Sequence, residues 1–418
     1  MRKLFQAMRT RCEAFLDQRD DLVLVARAGP SEYVALTSIL DSLSKEDDRP
    51  EVFWLFAESF ESKPAYAEAI ARAFQSRLEL VNAKLVKEGE PPLAPVPAEA
   101  LDAGLDPVVR LRTLMTFARG LIPEPESSHL IWCLLPGEIA DPAGFATLVI
   151  ELLRHELPVP WCRHMRVVVR EPQEPAMLHQ HAQSLFRAQW YQPDLSTAAV
   201  ERSLEDEAGD EQLPLPQRMQ ALFVLAGMDI AQRRFTEGIE KYGLLSKYYN
   251  ATGEKTLCAL SLNGLGEIAD RSGNPELARK HFEMALTPAT EAEDLPPLLN
   301  VTLNLANLHR NQKRWAEALE HYQAVSALAK ACCNAPLQIR SLEQMGFCRY
   351  KLGDAKGAWE DWTAGKTLAK GVESEGEELA CLERLRGLFA ELGMKAQRKE
   401  ADHEIAELEK RGVRAYPA

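Results

Sequence analysis

Side-chain size recurs at a fixed interval of forty residues through the second half of this chain, and such a period restricts the fold more than any other feature of the sequence. The turns that follow each apolar stretch fall at Phe235, Pro275, Trp315 and Ala355. In the same register Ala226, Gly266, Ala306 and Gly346 each follow an apolar residue, respectively Leu225, Leu265, Leu305 and Met345. Beyond each turn come the small residues Gly238, Ala278, Ala318 and Ala358, then the aromatics Tyr242, Phe282, Tyr322 and Trp362. Antiparallel helices approach closely only where one of them presents a small side chain. An aromatic four positions further on shares that helix face and fills the gap towards the next copy. One helix pair cannot cover its own apolar face, so the copies must stack in a row.

GNPELARKHFEMAL and KRWAEALEHYQAV show the pattern most clearly, and GDAKGAWEDW keeps it with larger residues. These segments resemble the tetratricopeptide repeat family in its longer, roughly forty-residue form, to which kinesin light chains and many bacterial signalling proteins are similar. The resemblance runs from about Leu213 to Leu408 and implies an all-α superhelical solenoid that binds protein. CLERLRGLFAELGMKAQRKEADHEIAEL resembles a fifth pair: Gly393 keeps the turn, whereas Arg398 and Asp402 occupy the small and aromatic columns. Polar residues there suit a capping repeat with an exposed outer face.

In such a stack the first helices line the inner surface. The register puts Asn263, Glu267, Asp270, Asn304, Asn307, Arg310, Arg340, Gln344, Phe347, Tyr350 and Lys351 on it. The asparagines of LNGLGEIA and LNLANLH stand close to where the light-chain type grips a ligand backbone. A carboxamide both donates and accepts, so it can hold an extended chain of any sequence. Arg310, Arg340 and Lys351 add a preference for an acidic segment or a C-terminal carboxylate. The plainer alternative is that each is a solvated polar residue of a scaffold.

The first half has another rhythm. LVLVA (Leu22–Ala26), VFWLFA (Val52–Ala57), LIWCLL (Leu130–Leu135) and MRVVV (Met165–Val169) are short apolar runs. They alternate with helical patterns at Glu32–Leu43, Pro64–Lys87, Val108–Leu121 and Gly144–Glu156. Continuous apolarity predicts buried parallel strands covered on both faces, hence a three-layer α/β domain with a mostly parallel sheet. Pro91, Pro92, Pro95 and Pro97 predict an exposed loop within it.

This order of pieces resembles a degenerate signal-transducing (STAND or AAA-like) P-loop NTPase domain. LVLVARAGPSEYVALTSIL stands at the phosphate loop, LIWCLLPGE at the magnesium-binding strand and MRVVVRE at the sensor strand. A working phosphate loop needs converging glycine N–H groups, a lysine and a Ser or Thr for the metal. Here the loop reads Arg27, Ala28, Gly29, Pro30, Ser31, Glu32, Tyr33: it has one glycine and no lysine, and a carboxylate enters the helix. Leu134, Leu135 and Pro136 stand where an acidic ligand is expected, with Glu138 the nearest substitute. The expectation is a pseudo-NTPase that binds no cofactor; an unrelated Rossmann-like domain and a nucleotide-dependent switch controlled by the repeats are the alternatives.

Other constellations are weaker. Cys162 and His164 with His179 and His181 have zinc-ligand chemistry. QEPAMLHQHAQSLFRAQW reads as helix, though, and residues two apart on a helix diverge by about 200°, so no metal is expected. Glu138, Asp141 and Glu171 lie near expected carboxyl ends of strands, but Asp141 before Pro142 is a good helix cap. No GxSxG, HExxH or GxGxxG motif occurs, so no catalytic residue is assigned. ERSLEDEAGDE (Glu201–Glu211) reads as a solvated linker or helix end.

The chain has 418 residues, 46% hydrophobic and 27% charged, with a formal charge of -13. That charge argues against binding nucleic acid or anionic lipid. No window reaches the roughly 20 apolar residues of a membrane span. Leu4, Phe5, Met8, Cys12, Phe15 and Leu16 predict an amphipathic helix of the fold, not a signal peptide. Eight scattered cysteines without a CxxC pair predict reduced, mostly buried thiols and a cytoplasmic location. The expected organisation is an α/β domain over 1–175, a helical acidic connector over 176–212 and a solenoid over 213–418. The expected role is a non-enzymatic adaptor, chaperone or scaffold, bacterial by composition, that binds a client polypeptide; a structural subunit or effector chaperone of a secretion machine is a further alternative. The oligomeric state is left open.

Overall fold

The computed structural model describes residues 2–18, 20–46, 49–122, 129–154, 164–185 and 187–414. These fall into two compact units, Met1–Ser203 and Leu204–Ala418.

The first unit runs α1 (Arg2–Asp17), β1 (Val23–Arg27), α2 (Pro30–Leu43), β2 (Val52–Phe56), α3 (Lys63–Glu88), α4 (Ala98–Leu101) and α5 (Pro107–Gly120). It continues with β3 (Leu130–Leu134), α6 (Pro142–Leu152), β4 (Met165–Glu171), α7 (Met177–Gln180) and β5 (Ala188–Tyr191), and α8 (Thr197–Gly209) crosses its end. All strand pairings are parallel, in the order β2-β3-β4-β1-β5. Side chains on successive strand residues point to opposite faces, and both faces are covered. Val23, Val25, Trp132, Leu134, Val167 and Val169 pack under α3, α5 and α6. Leu24, Ala26, Ile131, Cys133 and Val168 pack under α1 and α2. The three layers are therefore real, and they explain why β3 is buried at every residue and reads as an unbroken apolar run.

Two expectations change here. QEPAMLHQHAQSLFRAQW is not one helix: it gives the single turn of α7, a 3-10 turn at Ala182–Ser184 and then β5 beside β1. That strand, AQWY, is half-buried along its length, so its mixed pattern imitates a helix face. The sheet accordingly continues past residue 175, where the α/β domain was expected to end, and takes in part of the expected connector.

The second unit consists of α9 (Leu215–Ala231), α10 (Phe235–Thr252), α11 (Lys255–Arg271), α12 (Pro275–Glu291), α13 (Leu295–Asn311), α14 (Trp315–Ala331), α15 (Ala335–Lys351), α16 (Ala355–Gly371), α17 (Glu375–Glu391) and α18 (Lys395–Lys410). First helices begin at 215, 255, 295, 335 and 375, so the forty-residue period covers five helix pairs. Each helix packs on its neighbours in sequence. First helices also touch across repeats, α9 on α11, α11 on α13 and α15 on α17, which puts them on the inner side of the stack. The turns inside the repeats place Arg233, Gly273, Lys313, Gly353 and Gly393 in the left-handed region. Gly273 and Gly353 suit that conformation, whereas Arg233 and Lys313 adopt it with a side chain.

The small column is steric. A Cβ on Gly266 would lie 2.4 Å from the Phe282 ring, and one on Gly346 2.4 Å from Trp362, each within its own repeat. Tyr242 reaches the next repeat, where a Cβ on Gly264 would meet its ring at 2.6 Å. Phe282 also packs in one cluster with Val301, Leu305 and Leu308 of the next repeat, and Trp362 in one with Leu379, Leu382 and Leu385 of the next, so the expected packing towards the following copy holds for these aromatics too. On α18 only Ala401, Ile405 and Leu408 are buried, and Arg398 and Asp402 face solvent.

Candidate protein-binding groove

The inner-face residues fall into three groups. Asn304 Nδ2 donates to Asn263 Oδ1 at 2.9 Å, tying the second repeat to the third and leaving the Asn263 amide and the Asn304 carbonyl with further capacity. Glu267 pairs along its own helix with Arg271, and Asp270 is exposed. These residues stand apart from the cavity on the same face.

That cavity, of about 470 Å³, lies where α13, α15 and α17 present their inner faces, with Tyr322 of α14 behind them. Asn307, Arg310, Arg340 and Gln344, four of the inner-face positions, line it. Asn307 Oδ1 accepts from the Tyr322 hydroxyl at 2.7 Å, and burial raises the pKa of that phenol. Arg310 donates to Gln344 Oε1 at 2.8 Å. Arg340 pairs with Glu377 at 3.2 Å, and Arg384 pairs with Glu343. Burial opposes the Glu377 charge, but hydrogen bonds from the Ser374 hydroxyl and Arg340 outweigh it and hold the carboxyl below its usual range. The walls therefore carry their own counterions. Of the cations expected to favour an acidic segment or a C-terminal carboxylate, Arg340 is paired with Glu377 within the wall, and Arg310 is held by the neutral Gln344.

Phe347, Tyr350 and Lys351 form the third group, outside the cavity. Phe347 meets Trp315 edge-on at 5.7 Å and lies 4.9 Å from the Arg384 guanidinium and 5.3 Å from Lys351 Nζ. The Tyr350 hydroxyl donates to Glu391. Sequence reasoning missed Glu343, Glu377, Glu383 and Arg384. The signal was present: one further step of the register sets Arg384 in the column of Gln344 and Asn304. The polar Arg398 and Asp402 mask it, because in the small and aromatic columns they mark the fifth repeat as a cap.

A tetratricopeptide repeat model matches residues 298–358, within this groove. Residues 298–358 are tetratricopeptide repeats. Among solved structures, BtubC (BKLC) from P. vanneervenii is similar over 53% of this chain and 93% of its own, at 15% identity and a TM-score of 0.44. Aspartyl phosphate phosphatase F from Bacillus subtilis is similar over 53% of this chain and 57% of its own, at 15% identity and a TM-score of 0.40. A Signal Transduction ATPase with Numerous Domains protein with a tetratricopeptide repeat sensor, from Pyrococcus horikoshii, is similar over 98% of this chain and 82% of its own, at 9% identity and a TM-score of 0.41. No curated protein matches the sequence. Tetratricopeptide repeats indicate a protein-interaction or scaffold role and are typically non-catalytic. No described helix is long and apolar enough to cross a membrane.

At the carboxyl edge of the α/β sheet the loop before α2 is filled by its own side chain. Glu32 is buried, its Oε1 accepts from Leu195 N at 3.0 Å, and its Oε2 lies 2.9 Å from where a Gly29 Cβ would sit. Pro30 takes the first position of the helix and removes an N–H. Arg170 of β4 is buried, donates to the Gly137 carbonyl at 2.9 Å and holds its guanidinium 4.6 Å from the centre of the Tyr33 ring. Burial lowers the pKa of Arg170. The other acidic candidates serve local structure. Asp141 caps α6 through Gly144 N at 2.9 Å, and Glu171 accepts from Leu178 N and His179 N. Burial raises the Glu171 carboxyl against those bonds. Glu138 is exposed.

Cys162 of the zinc-like array lies outside the described residues. The three histidines have different neighbours: His164 faces His129, His179 faces Trp190, and His181 Nδ1 lies 3.0 Å from the Met177 carbonyl. Among the described residues no group of three or more His, Cys, Asp or Glu side chains could hold a metal ion.

Proposed function

We propose that this protein is a non-enzymatic adaptor or chaperone that holds a client polypeptide segment against the inner faces of α13, α15 and α17, with the α/β unit as a second docking surface. The observation that carries the reading is the cavity of about 470 Å³ on the inner face of the repeats, where apolar side chains lie beside polar groups. Cavities of roughly 300–1,000 Å³ with a few convergent polar groups are the usual form of a binding site. The Asn263–Asn304 pair extends the same face towards the second repeat, and its spare donor and acceptor suit a passing backbone.

Within this reading the α/β unit is a pseudo-NTPase. Support comes from Glu32, which sets a carboxylate at the helix N-terminus where a phosphate would need converging N–H groups. Such a protein belongs in the cytoplasm, in keeping with its free, mostly buried cysteines.

The test uses the full-length chain in its native host. A client that co-purifies with the wild type and is lost from an Ala380→Trp variant, folded by circular dichroism, is the expected result. A client retained equally by both variants would refute the groove. In the same preparation, millimolar ATP or GTP with magnesium is expected to leave the melting temperature unchanged. A nucleotide-induced shift abolished by Ser31→Ala or Glu138→Ala would favour the switch instead.

A further inference from the structure

Three arginines and three glutamates line the groove cavity, and their pairing is uneven. Arg340 is matched by Glu377 and Arg384 by Glu343, both across neighbouring repeats. The remaining two charges have no ion-pair partner among the described residues. Arg310 is held by the neutral Gln344 and Asn311 side chains. Glu383 is exposed on α17. The cavity thus keeps one open positive charge towards α13 and one open negative charge on α17. The apolar side chains Leu303, Leu337 and Ile339 lie in the same lining.

This pattern suits neither an acidic tract nor a basic one. A run of carboxylates would meet Arg310 favourably but would also approach Glu343, Glu377 and Glu383, and like charges at close range are costly. Resting on the reading of this face as a peptide groove, we propose that its occupant is a mixed-charge segment: an acidic side chain on Arg310, a basic side chain on Glu383 and an aliphatic side chain between them in the cavity. The spacing follows from the helices. Arg310 reaches across to Gln344 on α15, so the two open charges lie about one helix spacing apart. At about 8–10 Å between packed helices and about 3.3 Å per extended residue, the acidic and basic positions are about three residues apart.

The experiment selects a phage-displayed library of random twelve-residue peptides on the full-length protein and on the double charge swap Arg310→Glu with Glu383→Arg, both checked for folding by circular dichroism. The wild type is expected to enrich peptides with an acidic and a basic residue about three positions apart flanking an aliphatic one. The double swap is expected to enrich the charge-reversed pattern, each pool binding its own protein at least tenfold more tightly than the other protein. Ala380→Trp, with Asn307→Trp as a second blocking variant, locates the bound peptides. Pools that lose binding to the blocking variants yet show the same charge pattern on both proteins, or none, overturn this inference and leave the groove standing. Pools indifferent to both blocking variants, or no enrichment at all, overturn the groove reading with it.

Discussion

Replacing Gly346 by alanine separates a steric requirement from a helix preference. In an exposed helix interior this change stabilises by about 1 kcal/mol, because alanine loses less backbone freedom on folding. At Gly346 the new methyl would sit 2.4 Å from Trp362 Nε1 and 2.6 Å from its Cδ1. A carbon needs about 3.5–4.0 Å, so the indole must move by about 1 Å. Trp362 is almost fully buried, and its Nε1 donates to the Glu343 carbonyl at 2.9 Å, so movement strains that bond. Overpacking costs about 1–3 kcal/mol and a weakened neutral hydrogen bond about 1 kcal/mol. Set against the propensity gain, the net is a destabilisation of about 1–3 kcal/mol. For a unit of this size that lowers the melting temperature by about 2–4 °C per kcal/mol. Gly387→Ala is the control, since Gly387 lies inside α17 with nothing within 4 Å of the added methyl. It is expected to raise the melting temperature slightly. Thermal unfolding followed by circular dichroism reads both variants. If Gly346→Ala matched or exceeded Gly387→Ala, small residues in this column would reflect propensity alone, and the account of the repeat would be wrong.

Three further perturbations follow from the packing. Asp229 is buried and accepts from Arg234 and, at 2.6 Å, from Lys241; Asp229→Ala removes the carboxylate that both cations share and is expected to cost about 2–3 kcal/mol in urea unfolding, whereas an unchanged midpoint would dismiss the pair. Glu32→Ala is expected to cost about 1–2 kcal/mol through the orphaned Leu195 N–H, measured by urea unfolding, and an unchanged midpoint would show that the carboxylate does not hold this loop. His281, His309 and His321 are all held below the ordinary imidazole value, in each case first by burial, and for His309 next by the stacked His321 ring at 5.3 Å. The unfolded chain then binds protons that the folded chain refuses, so their contribution is complete above a pH of about 6.5 and is lost as pH falls through the lowered folded values. The urea midpoint should drop below that pH, and the drop should flatten in a His309→Gln, His321→Gln double variant; equal slopes would refute the assignment.

Much of the fold was legible because its periods are long or its runs unbroken. Helix starts at Phe235, Pro275, Trp315 and Ala355 coincide with the turns read from the sequence, since every copy solves the same packing problem. The β3 run was equally readable, being buried at every residue. The strand at Ala188–Tyr191 was not, because a half-buried edge segment of four residues carries too little pattern to oppose a helical reading. On the inner face, the register places Asn307, Arg310, Arg340 and Gln344, which line the cavity, but it carries no sign of which charges are spent.

Repetition along the chain was enough to determine that helices pair, how long each pair is and which columns stay small, because those are local steric demands repeated in four copies. The partnering of charges belongs to the tertiary structure alone. Arg340 meets Glu377 thirty-seven positions away and Arg384 meets Glu343 forty-one away, so whether a cation faces a ligand or its own wall depends on how neighbouring repeats stack. The closure of the loop before α2 was decided the same way. A glutamate at position 32 could point anywhere, and only the return of the chain at Leu195 gives its carboxylate a donor.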